Sequence, residues 1–285
     1  MDIRTMLLEN TAGELRRFFL GLGATVFSNA QEIRLRQGQP IAVRGNDGDI
    51  FLKYSPTAQD IAETLSKLAN HSLYAYENEI KNGYITLPGG HRVGIAGRAT
   101  IEGGQIKTIK HISALAIRIA RQVIGAADPI MPRLLDNGQI NNAMIISPPG
   151  WGKTTILRDA IRQLSYGGHN VVVIDERSEI AGCHLGIPQN DLGPRADVLD
   201  AAPKAQSMML ALRALCPDII AVDEIASADD VAALENMAAA GIAILCTIHG
   251  RDMKDLHKKP LIKPLLDNNI ISQYIFLEKQ KGVAS

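Results

Sequence analysis

The chain has 285 residues, room for two modest domains or one large one, and its 46% hydrophobic and 21% charged residues are ordinary for packed cores. Thirty Lys and Arg balance thirty Asp and Glu, and aromatics make up only 4%, which argues against constitutive nucleic-acid or anionic-lipid binding. Cys183, Cys216 and Cys246 form no C-x-x-C pair and are expected to be small buried hydrophobes in a reducing compartment. With no basic-then-apolar leader and no apolar run of spanning length, a soluble, cytosolic protein is expected.

Residues 1–128 are expected to form a small α+β domain. Strands are predicted at 32–36, 41–44 and 84–87, the first and third from alternating apolar and polar residues. Ile61, Leu65 and Leu68 recur at helical spacing and predict an amphipathic helix over about 57–69. Gly89-Gly90 and Gly103-Gly104 punctuate later strands. Asp128-Pro129 and Met131-Pro132 read as a stiff connector, so a second domain is expected over 129–285.

In that second half, short β-rich runs at 144–146, 171–174, 219–222 and 242–247 alternate with predicted helices. The helices cover about 154–164, 204–215 before Pro217, and 228–240, with Ser227 as N-cap and Asp230 in its first turn. Such alternation predicts a parallel sheet covered on both faces, with ligands at the ends of its strands.

The segment from Ser147 to Thr155 follows a strand and precedes a helix, the context a phosphate-binding P-loop requires. Glycines let backbone N–H groups converge on phosphate oxygens, and a helix N-terminus adds partial positive charge. Pro149, Gly150, Trp151, Gly152, Lys153, Thr154 and Thr155 are the expected contacts to ATP. Lys153 would reach the β- and γ-phosphates, Thr154 would ligate Mg²⁺, and Thr155 would face the α-phosphate. The motif puts glycine where this chain has Ser147, a cost if that position needs positive φ.

Asp223 and Glu224 close the third run. Asp223 is expected to hold Mg²⁺, and Glu224 to orient or deprotonate the attacking water. Glu176, in Asp175-Glu176-Arg177, is expected to support the metal or the water, with pairing to Arg177 or Arg213 as the competing reading. His249 closes the fourth run and is expected to sense the γ-phosphate or bridge to moving parts. Arg92, Arg98, Arg118 and Arg121 are candidates for a guanidinium that reaches a neighbouring subunit's nucleotide.

Six segments together carry a resemblance: residues 32–36, Gly90-His91-Arg92-Val93-Gly94, 117–121, 148–155, 175–182 and Val222-Asp223-Glu224-Ile225. The chain resembles the stage III sporulation AA family of endospore-forming bacteria from about residue 30 to 280; the 175–182 stretch and the loop at 185–191 are the most specific parts. That family is similar to the hexameric ATPases of type II and type IV secretion systems. The resemblance implies a RecA-like P-loop NTPase domain with a mainly parallel sheet behind a small α+β N-terminal domain. It implies a homo-oligomeric ring, contact with membrane proteins of a secretion-like channel between mother cell and forespore, and a location peripheral to the mother-cell membrane. It also implies an acidic box at Asp175-Glu176 and a histidine box from Thr247 to His249, and leads to the expectation of a further short segment after Ser285. Two other readings compete with such a motor: a nucleic-acid-stimulated P-loop translocase or binding protein, and a nucleotide-gated scaffold that does not hydrolyse.

Overall fold

The computed structural model describes residues 3–278 apart from Ala24, Asn29, Asn46, Asp47, residues 73–75 and Asn137. It divides into two compact units, Met1–Arg121 and Gln122–Ser285. The expected connector at 128–132 lies inside the second unit, because the preceding residues are tied there. The Ala127 N–H donates to Asp159 (2.9 Å), and the Gln122 side chain exchanges hydrogen bonds with the Asp191 backbone (2.6 and 2.9 Å).

The first unit runs α1 (Ile3–Asn10), α2 (Gly13–Leu20), α3 (Thr25–Ser28), β1 (Ala30–Arg36), β2 (Ile41–Gly45), β3 (Gly48–Leu52), α4 (Ala58–Leu68), α5 (Glu77–Lys81), β4 (Tyr84–Thr86), β5 (Arg92–Glu102) and β6 (Gln105–Arg118). Its strands form one antiparallel sheet in the order β3-β2-β1-β6-β5-β4. The two-residue period of β1 sends Ile33 and Leu35 into a core shared with Leu7, Leu15, Phe19, Ile61 and Leu65. Glu32, Arg34 and Arg36 point to the opposite face. Thr57 and Asp60 form a reciprocal capping box that starts α4 where the periodicity placed it. The helices α1 and α2 escaped the sequence reading because two turns each are too few to show sustained periodicity.

The second unit runs α6 (Met131–Leu134), β7 (Leu135–Asp136), β8 (Gln139–Ile140), β9 (Ala143–Ser147), α7 (Lys153–Tyr166), β10 (Val171–Asp175), β11 (Ala196–Asp200), α8 (Lys204–Ala214), β12 (Ile219–Val222), α9 (Ala228–Ala239), β13 (Ala243–His249), α10 (Met253–His257), α11 (Lys263–Asp267) and β14 (Gln273–Phe276). Six strands form a parallel sheet in the order β11-β10-β12-β13-β9-β14. Alternate residues feed two cores: Val172, Ile174, Ile220 and Val222 pack with α8 and α9, while Val171, Val173, Ile219 and Ile145 pack with α7. Burial on both faces explains why these strands read as unbroken apolar runs. Strands β11 and β14 lie at the sheet's edges, where mixed polarity hid them from the sequence reading. Among the described residues, no helix is long and apolar enough to cross a membrane.

Cys183 and Cys246 are buried, as expected, and Cys216 is exposed. Cys216 follows the end of α8 with a left-handed φ of 45° before Pro217, so the chain turns there at the surface rather than entering the core.

Candidate active site

Strand β9 delivers the chain at Ser147 into a loop that re-enters helix at Lys153. Gly150 and Gly152 adopt φ values of 74° and 82°, a left-handed backbone that other residues reach at a cost of about 1–2 kcal/mol. Gly152 is the N-cap of α7 and offers no side-chain cap, so the first N–H groups of a fourteen-residue helix face the loop. Ser147, where the motif has glycine, is still in the ladder opposite His249, and its φ is not positive. Serine is therefore unstrained at this position.

The sheet order decides what meets this loop. Strand β13 lies between β9 and β12, so Thr247 and His249 stand between the loop and the acidic pair. The Thr154 hydroxyl donates to Asp223 Oδ2 at 2.7 Å, although 69 residues separate them. The buried Thr247 hydroxyl donates to Asp223 Oδ1 (2.5 Å) and accepts the Glu224 N–H (2.8 Å). Glu224 holds a φ of 51°. Its carboxylate lies 3.4 Å from His249 Nε2 and 3.6 Å from Arg177.

Lys153 is buried, its ammonium held by the Ser147 and Pro148 carbonyls (3.1 and 3.3 Å) and by His249 Nδ1 (2.8 Å). Burial pushes its pKa below the usual lysine value, and Asp223 and Glu224 pull it partly back up. His249 thus touches both Lys153 and Glu224. A cleft of about 400 Å³ adjoins the loop on its other side, walled by Val123, Ile130, Trp151, Thr155, Ile156 and Phe276.

Asp175 is buried and accepts the N–H groups of Glu179, Ile180 and Ala181 at 2.8–3.0 Å, ordering the turn after β10. Burial raises its pKa against the pull of those bonds. Glu176 pairs with Lys204 at 3.3 Å. Arg177 instead faces Glu224, and Arg213 donates to the Met209 carbonyl (3.0 Å). The four candidate arginines belong to the first unit. Arg92 stacks over the Tyr84 ring (4.2 Å) and sits opposite Arg118 across the β5–β6 ladder. Arg118 lies 3.4 Å from Glu32, Arg98 is opposite Lys110, and Arg121 donates to the Ala30 carbonyl (3.1 Å). Sequence reasoning passed over Lys204, which follows Pro203 with no motif to mark it.

Thr154 and Asp223 present a hydroxyl and a carboxylate, the hard oxygen donors that Mg²⁺ takes, and Mg²⁺ habitually uses few protein ligands beside water and phosphate. The donor set fits that ion.

A parallel sheet with a phosphate-type loop after one strand and an acidic pair after another, one strand apart, defines a RecA-like P-loop NTPase domain, here preceded by an α+β domain. Solved structures of the same fold include the ATPase DotB of Legionella pneumophila (TM-score 0.54, 17% identity, 82% of this chain and 65% of that one) and the pilus retraction motor PilT with bound ADP (TM-score 0.57, 18% identity, 85% and 71%). A model of the family described as "Sporulation stage III, protein AA" matches residues 1–285, and the chain belongs to that family. It is 42% identical over 257 residues to stage III sporulation protein AA of Bacillus subtilis (strain 168), covering 88% of this chain and 83% of that protein.

Proposed function

We propose that the second unit binds Mg²⁺ and ATP and hydrolyses it to ADP and phosphate. The observation that carries this reading is the 2.7 Å contact between Thr154 and Asp223, which joins the phosphate-type loop to the acidic strand end. The 150–155 backbone and the α7 N-terminus would cradle the phosphates, and the apolar cleft beside Trp151 and Ile156 suits the nucleoside. Thr154 and Asp223 would hold Mg²⁺, which supplies charge neutralisation at the phosphates when bound. Lys153 exchanges its carbonyl and imidazole contacts for β- and γ-phosphate oxygens. Glu224 orients a water and accepts its proton as the water oxygen bonds to the γ-phosphorus and the bond to ADP breaks. His249, touching both Lys153 and Glu224, is placed to report that Lys153 has moved.

The resemblance to secretion ATPases supports a ring-forming motor at a membrane channel between mother cell and forespore, with arginines of the first unit completing a neighbour's site. Phosphate release by the full chain with Mg²⁺ and ATP, alongside Lys153→Ala, tests the chemistry. Turnover in the wild type and its loss in the variant is expected; no nucleotide binding by the wild type would end the reading. Mass measurement with and without nucleotide tests the ring. Stimulation by DNA would favour a translocase instead.

A further inference from the structure

Lys204, in the first turn of α8, is a buried ammonium with a 9% exposed side chain that the steps above do not use. It donates to the Glu224 backbone carbonyl at 2.7 Å and lies 3.3 Å from Glu176 Oε2. We propose that Lys204 is a positioning residue that locks the Glu224 turn, and that Glu176 acts through it as the counter-charge; the catalytic consequence rests on the ATP-hydrolysing reading above.

Glu224 occupies a left-handed backbone that L-residues adopt at a cost, so something must hold it there. Its N–H is taken by the Thr247 hydroxyl and its carbonyl by Lys204, so the peptide groups on both sides are clamped. The carboxylate then leaves the backbone in one direction, toward His249 and Arg177. Lys204 grips the carbonyl rather than the carboxylate. It therefore fixes direction without occupying the oxygens that a water would need. Burying an ammonium carries a desolvation cost that a carboxylate close by offsets. Glu176, at the end of the adjacent strand β10, supplies that carboxylate while remaining 40% exposed. Through the bond from Lys204 to the Glu224 carbonyl, this ion pair links the end of β10 to the turn after β12, so Glu176 orders the site from the neighbouring strand.

The test compares full-length wild type, Lys204→Met, Lys204→Arg and Glu176→Gln in phosphate release, in binding of a non-hydrolysable ATP analogue, and in amide exchange of the segment 219–226. Lys204→Met is expected to lose about 10–100-fold in kcat, the scale of removing a supporting partner, with analogue affinity retained. Lys204→Arg should recover part of that loss, and exchange at Glu224 and Ile225 should accelerate while α7 stays unchanged. A merely structural lysine would lower the melting temperature and leave kcat per folded molecule intact, which would overturn the proposal. Should Lys204→Met fail to fold, Glu176→Gln decides: reduced kcat with intact binding supports the clamp, and unchanged kcat removes it. A wild type that binds the analogue but releases no phosphate overturns hydrolysis alone. The clamp then stands or falls on whether Lys204→Met accelerates exchange at Glu224.

Discussion

Lys153 has given up water for two carbonyls, a serine hydroxyl and an imidazole nitrogen, none of which carries a full negative charge. A buried ammonium so placed gains from any anion that enters the loop. Replacing Lys153 by alanine removes a charge-assisted bond, so ATP affinity should fall by about 10–100-fold, read by calorimetry with a non-hydrolysable analogue. Glu224 makes the opposite prediction. Glu224→Gln keeps the shape and both backbone clamps but cannot take a proton. Phosphate release should drop by about 10²–10⁴-fold while the analogue still binds. Equal loss of binding in both variants would contradict the separate roles given to them.

Helix α9 shows how local chemistry sets an element. Ser227 accepts the Asp230 N–H at 3.1 Å, and Asp230 returns bonds to the Ala226 and Ser227 N–H groups, so the helix starts where the sequence predicted a cap. Its buried Val231, Leu234 and Met237 then face the sheet. Ser227→Ala should cost about 1 kcal/mol, visible in the chemical-denaturation midpoint with an unchanged m-value. An unchanged midpoint would mean that packing alone positions α9. The phosphate loop is likewise local, because glycine spacing and the following helix specify it. Strands β11 and β14 illustrate the limit: edge strands bury less, so their sequences keep polar residues that mask the period.

At the scale of the molecule, neutrality conceals an asymmetry. Met1–Arg121 holds fifteen basic and eleven acidic residues, and Gln122–Ser285 holds fifteen and nineteen, giving +4 and −4. If copies assemble by joining unlike units, as the ring proposal suggests, assembly should weaken as salt shortens the Debye length from about 10 Å at 0.1 M toward 3 Å at 1 M. Sedimentation across that range with nucleotide present measures it; a salt-independent mass would point to an apolar contact instead. Within the first unit, Glu32 is a buried carboxylate among arginines. Burial works to raise its pKa, but Arg34, Arg118 and Arg44 outweigh it and hold the value below the ordinary 4.5. Its stabilising contribution is therefore in place above pH 4.5 and is lost as pH falls through the lower folded value. Wild type should be more stable than Glu32→Gln near neutrality, with the gap closing below that pH in thermal melts. A gap independent of pH would remove the charge-based account.

The loop from Gly150 to Thr155, the apolar strands, the α4 periodicity, the α9 cap and the carboxylates after β12 were legible along the chain, because each is written in residues a few positions apart. Their meeting was not. Parallel strands are joined by long crossovers, so nothing in the linear order states that β13 lies between β9 and β12. That arrangement brings Thr154 to Asp223 and sets His249 between Lys153 and Glu224. Lys204 was invisible for the same reason: its role lies in a backbone carbonyl twenty residues away, and a carbonyl leaves no mark in the amino-acid code.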